Sequence, residues 1–135
     1  MKKLFAVALV ALTLGACNND KAQEKALLDD VIKLHDTVMG KDEKLMKTKM
    51  KIDTLLINIK DTLAQKPLKT LSTNLVTAEE AMEKWMQNFD PEQKGKTHDQ
   101  VVAYLNEQKK QVAAIDSQIN VAIKQSSEYL NQLPK

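Results

Sequence analysis

Apolar residues recur along this chain in steps of three and four, and almost nowhere in steps of two. Between Pro67 and Pro91 the run Leu68, Leu71, Leu75, Ala78, Met82, Trp85 and Phe89 alternates those steps, which is the stripe of a helix packed in a bundle. Asp90-Pro91 closes that stripe, because the residue before a proline is pushed out of the helical region. A further stripe runs Val101, Leu105, Gln108, Val112, Ile115, Ile119, Ala122, Ser126, Tyr129 and Leu133, interrupted only by Gln108 and Ser126, with Pro134 at its end. It is preceded by Thr97-His98-Asp99-Gln100, a capping box in which Thr97 and Gln100 each satisfy an unpaired amide. Upstream, from about residue 21 to 65, Val31, Val38, Leu45, Ile52 and Ile59 repeat every seven residues. That phase survives Gly40, whose cost of about 1 kcal/mol inside a helix a long rod tolerates. No window alternates in the manner of a strand. The pattern predicts an all-α domain over 26–135: an antiparallel bundle of three long helices, four if the first breaks at Gly40, with the first hairpin turn near Lys66-Pro67.

The first residues follow a different rule. Lys2 and Lys3 precede an apolar run from Leu4 to Leu14, and small residues lead to the single cysteine, Cys17. Basic start, short greasy middle and small-residue end make a signal peptide, and the run is too short for a membrane span of about 20 residues. Leu14-Gly15-Ala16-Cys17 looks like a bacterial lipobox. That resemblance implies cleavage before Cys17, removing residues 1–16, and attachment of a diacylglycerol thioether and an N-terminal acyl chain. Two or more chains anchor stably where one does not. Residues 17–25 then form the lipidated cysteine and a spacer. Among lipoproteins an aspartate after the cysteine favours the inner membrane; Asn18 stands here, pointing to the outer membrane, on either its periplasmic or its surface face. The competing reading leaves Cys17 as a chance thiol in an ordinary secreted protein.

Composition narrows the function. Cleavage before Cys17 leaves 119 of the 135 residues, one small domain, and losing Lys2 and Lys3 brings 20 basic residues to 18 against 18 acidic ones. Every basic residue is a lysine, so the planar bidentate recognition supplied by arginine is missing, and with it a nucleic-acid-binding face. Three glycines provide no phosphate cradle for a nucleotide. Asp29-Asp30 and Glu79-Glu80 read as solvated helix faces with lysine neighbours. Ser72, Ser117, Ser126 and Ser127 have no adjacent base and make no nucleophile. No enzyme is expected.

One constellation remains. His35, Met39, Asp42, Met46 and Met50 share a helix face, and Met82 and Met86 lie one turn apart beside Trp85. A turn near Lys66-Pro67 sets residues opposite when their numbers add to about 133, so Met82 faces the level of Met50 and Met86 that of Met46. The same reckoning places His98 at the height of His35. Thioethers and imidazoles suit Cu(I), and the face of Trp85 can stabilise a cation. The bland reading, methionines as flexible core fillers, is the stronger one from spacing alone. It leaves no cofactor; the competing reading makes His35, Met39, Met46, Met50, Met82, Met86 and His98 Cu(I) ligands.

His35-Asp36-Thr37-Val38-Met39 and Trp85-Met86-Gln87-Asn88-Phe89 resemble segments of small lipoproteins of Bacteroidetes-type bacteria labelled "viral A-type inclusion protein", in which H-D-x-V-M is followed by proline and W-M-x-x-F/Y lies near the middle. Gly40 stands in the proline's place. The resemblance implies export as a lipoprotein and a helical body, implies no activity, and draws attention to His35, Met39, Trp85 and Met86. The expectation is a lipid-anchored envelope lipoprotein, a non-catalytic interaction or structural protein with the membrane and an envelope protein as partners. The alternative is a Cu(I)-binding lipoprotein. A first helix of about 45 residues at 1.5 Å each would overhang a shorter second one, leaving Val31 and Val38 to be covered by the third helix or by a partner.

Overall fold

The computed structural model describes residues 14–133, with side chains from residue 19 onward. The expected signal peptide therefore lies almost wholly outside the described residues, as do Pro134 and the side chain of Cys17. Four helices follow in order: α1 (Leu14–Met39), α2 (Asp42–Asn58), α3 (Thr62–Asn88) and α4 (His98–Gln132), with no strand among the described residues. Residues 18–25, expected as a spacer, are helical here.

α1 and α2 make one rod with a hitch. The Gly40 N–H still reaches Asp36 O at 3.0 Å, but the Lys41 N–H bonds Val38 O, three residues back, at 2.9 Å. Lys41 keeps near-helical dihedrals of φ −95° and ψ −10°. The ladder tightens by one step, as short 3₁₀ turns do, and the apolar phase passes through: Val31, Val38, Leu45 and Ile52 are all buried. Asp42 and Glu43 open α2, where carboxylates complement the helix dipole.

The first turn departs from expectation. α2 ends at Asn58, and α3 starts at Thr62 with Pro67 inside it. Asp61 is the N-cap, its Oδ1 accepting from the Leu63 N–H at 2.9 Å. Gln65 then folds back, its Nε2 donating to Ile59 O at 2.6 Å and to Leu56 O at 3.3 Å, which satisfies carbonyls left open at the end of α2. Pro67 is tolerated near the helix start because the bond it forgoes, to Leu63 O, is a single early rung.

Direction follows from cross-helix pairs. Ser72 Oγ donates to Asp53 Oδ1 at 2.8 Å and His35 meets Met86, so α3 runs antiparallel to the rod. Lys109 Nζ reaches Asp30 at 2.6 Å and Lys41 Nζ reaches Asp116 at 2.5 Å, so α4 runs parallel to it. The core is the three stripes meeting: Leu68, Leu75, Ala78, Met82 and Trp85 from α3, Val101, Leu105, Val112, Ile119, Ala122 and also Ile123 from α4. α4 extends past the end of α3 along α1 and packs over the level of Val31 and Val38, which are 0% and 2% exposed. The expected overhang is therefore covered within the chain, and no partner is needed for it.

The capping box forms as expected. Gln100 N–H donates to Thr97 Oγ1 at 3.4 Å, and Thr97 N–H to Gln100 Oε1 at 3.0 Å. In the loop before it, Gly95 at φ 77° and Gln93 at φ 50° adopt left-handed backbone. Asp90 Oδ1 holds this loop by accepting from the amides of Glu92 and Gln93 at 3.0 and 3.3 Å, as aspartates at turn starts do.

Candidate functional site

His35 and Met39 stand one turn apart on α1, and Met82, Trp85 and Met86 one turn apart on α3. With the turn at residues 59–61, facing numbers add to about 121, and this register sets His35 against Met86. The His35 Nε2 lies 3.2 Å from Met86 Sδ, and its Nδ1 lies 3.1 Å from Asp36 Oδ1. Both ring nitrogens are at hydrogen-bond distance from a partner, and which of them donates depends on the tautomer. With the proton on Nδ1, beside the carboxylate, the Nε2 lone pair faces the thioether; with it on Nε2, the ring donates to the sulfur.

The imidazole also stacks on Trp85, with centroids 5.7 Å apart and planes at 29°. Trp85 stacks in turn on Phe89 at 4.7 Å, and Phe89 on Tyr104 at 6.2 Å. The indole N–H donates to Gln108 Oε1 at 2.8 Å, so the polar residue that interrupts the α4 stripe is the partner of a buried donor, as buried indoles require. The Tyr104 hydroxyl accepts from the Asp90 N–H at 2.9 Å, and the Lys96 ammonium sits 4.2 Å above the Tyr104 ring. The Trp85 ring carries His35 and Phe89, and among the described residues Lys96 stands over Tyr104 in a cation–π contact.

Beside this stack a half-open cavity of about 210 Å³ lies between α1, α2 and α3, its lining including Met39, Asp42, Glu79, Met82, Glu83 and Met86. Met82 is 4% exposed, whereas Met39 is 37% and Met86 41% exposed. Four of the expected ligand residues, His35, Met39, Met82 and Met86, are thus gathered at one height.

The other three are elsewhere. Met46 and Met50 do not face Met86 and Met82 as expected, because the turn falls about six residues earlier than Pro67 and shifts the register. Met46 is exposed, and Met50, 64% exposed, lines a groove with Leu55, Leu130 and Leu133. His98 is not at the height of His35. The loop from Phe89 to Thr97 descends past the end of α3, and His98 meets α1 eleven residues earlier, roughly 16 Å down the axis. There Nδ1 is 2.9 Å from Glu24 Oε1 and Nε2 is 3.8 Å from Asp20 Oδ1. The hydrogen bond to Glu24, helped by the charges of Asp20, Glu24 and Asp99, raises the His98 pKa above the ordinary imidazole value.

A second polar cluster, unanticipated from the sequence, joins α2 to α3. Asp53 accepts from Lys49 Nζ and Ser72 Oγ, each at 2.8 Å, and the Lys49 hydrogen bond holds its carboxyl below the usual range. The available signal was Lys49 and Asp53 at i,i+4 spacing, with Ser72 beside the facing stripe.

Among the described residues no three of His, Cys, Asp and Glu converge as a metal site. The donor set at His35 is of another kind, one imidazole nitrogen with thioether sulfurs, and such donors suit soft cations. No helix among the described residues is long and apolar enough to cross a membrane. The chain matches no family model, no curated protein and no solved structure.

Proposed function

We propose that this chain is a lipid-anchored, non-catalytic protein of the cell envelope, held through Cys17 to the outer membrane and presenting its bundle to an envelope partner. The anchor rests on Leu14-Gly15-Ala16-Cys17 after a basic, then apolar, start. The interaction role rests on one observation: at the α2–α3 turn, the end of the bundle farthest from Cys17, Ile57 and Leu63 are each 82% exposed. Both flank the α2–α3 turn, and exposed apolar surface at such an end is what a contact with a partner would cover. A lipid at one end and an apolar tip at the other is the arrangement of a tethered adaptor.

Metabolic labelling with palmitate tests the anchor. Label on the wild-type chain that disappears in Cys17→Ser, with the variant released from the membrane fraction, is the expected result; an unlabelled wild type overturns it. A photo-crosslinking residue at position 57 or 63 tests the tip in intact cells. A discrete adduct there, absent when the same residue stands at position 94 in the α3–α4 loop, is expected. Equal labelling at both ends, or none, refutes the interaction role.

A further inference from the structure

We propose that His35, Met39 and Met86, backed by Met82, form a Cu(I) site on the α1–α3 face. The proposal does not depend on the lipid anchor, and its experiment reads nothing from the membrane.

Geometry supports it first. Bonds of the lengths zinc makes, roughly 2.0 Å to imidazole nitrogen and 2.3 Å to sulfur, opened to a tetrahedral angle, set the scale for two donor atoms of one metal ion at roughly 3.5 Å. His35 Nε2 and Met86 Sδ are 3.2 Å apart. Asp36 stands beside Nδ1, the carboxylate–histidine arrangement that orients metal ligands. In the tautomer protonated at Nδ1 the Nε2 lone pair and the thioether sulfur face each other, and a soft cation fits between the two donors.

Exposure supports it next. Methionines that merely fill a core are buried, as Met82 is. Met39 and Met86 are more than a third exposed where they line the cavity, so their sulfurs are accessible to an ion. The open side of the cavity gives an ion its route in, and Met82 stands at its back.

Selectivity follows from the donors. Thioethers are soft and neutral, and a set of one nitrogen and two or three such sulfurs selects Cu(I) over Zn²⁺, which prefers thiolate, imidazole and carboxylate ligands. Asp42, Glu79 and Glu83 line the same cavity, and their carboxylates offset the positive charge of a bound ion.

The test uses the full chain in detergent with Cys17→Ser, since an unlipidated thiol would bind copper by itself. Under reducing conditions, Cu(I) is titrated in competition with a Cu(I)-selective chelator while the fluorescence of Trp85, the only tryptophan, is followed. The expected result is one equivalent bound, with quenching of Trp85, which stacks on the ligand His35. Affinity should fall at least tenfold in His35→Ala and in Met86→Leu, which keeps the side-chain volume, and less in Met39→Leu. Met50→Leu should leave affinity and quenching unchanged, and Zn²⁺ should not displace Cu(I). Circular dichroism of each variant confirms that the bundle persists. Failure to compete, or competition and quenching unaltered by both His35→Ala and Met86→Leu, overturns the proposal.

Discussion

Replacing Ser126 by alanine should make this protein more stable. Ser126 occupies a seam position of α4, is 0% exposed, and its Oγ reaches no hydrogen-bond partner among the described residues. A buried, unsatisfied hydroxyl costs about 1–3 kcal/mol of desolvation. Deleting it removes that cost, and alanine adds a few tenths of a kcal/mol of helix propensity. The void left by one oxygen, at about 24 cal/mol per Å³, returns only a few tenths. The balance is a gain of about 1–2 kcal/mol. In urea, with a slope of about 2 kcal/mol per M for a domain of this size, the unfolding midpoint of Ser126→Ala should rise by about 0.5–1 M at unchanged slope. Ser117→Ala serves as the control: that hydroxyl is exposed and donates to Ala113 O at 3.0 Å, so its midpoint should move by no more than about 0.5 kcal/mol in equivalent terms. A Ser126→Ala midpoint equal to or below wild type would refute the reasoning, because it would mean that the hydroxyl is satisfied in solution.

Three further outcomes follow from the caps, the hitch and the charged lower end. Gly40→Ala should stabilise by about 0.4–1 kcal/mol, since an added Cβ meets Thr37 O at 3.4 Å and Asp36 O at 3.6 Å, ordinary contacts, and Gly40 lies outside the left-handed region; a thermal midpoint below wild type would show that the hitch needs glycine. Asp61→Ala removes the α3 N-cap and should cost about 1 kcal/mol in urea unfolding, an unchanged midpoint arguing that the turn is held by Gln65 alone. His98 has a folded pKa raised chiefly by its hydrogen bond to Glu24, so its stabilising contribution is complete below the unfolded imidazole value and is lost as pH rises through the raised one. The excess thermal stability of wild type over His98→Gln should therefore shrink as pH rises above the ordinary imidazole value, and an NMR titration of the ring with a midpoint at or below 6.5 would contradict the pairing.

The three seams were legible in the sequence because burial on a helix repeats with the helical turn: all the stripe positions from Val31 to Ile52, from Leu68 to Phe89 and from Val101 to Leu133 are buried or half-buried. Register was not legible in the same way, because it depends on where one turn falls. Pro67 looked like the break, but a proline early in a helix forfeits a single rung, whereas Asp61-Thr62 carries the capping chemistry that starts α3. Moving the turn from about residue 66 to about residue 60 changes the facing sum by about twelve, some three helical turns. Met82 and Met86 consequently exchange Met50 and Met46 for Met39 and His35, and an expected cluster of thioethers becomes a mixed nitrogen and sulfur set.

The interruptions of the α4 stripe carry a related lesson about what spacing contains. Gln108 and Ser126 look alike in the sequence, each a polar residue at a position that a core helix gives to an apolar one. Across from Gln108 stands an indole N–H that would otherwise be buried without an acceptor, and the glutamine amide satisfies it. Ser126 has no such counterpart. A polar residue on an apolar stripe thus declares that something is being solved or something is being tolerated, and only the identity of the facing atom separates the two. That atom is fixed by register: the α3–α4 loop sets Gln108 against Trp85 as the early α2–α3 turn sets His35 against Met86, so each turn must be placed before an interruption, or the site itself, acquires a chemical meaning.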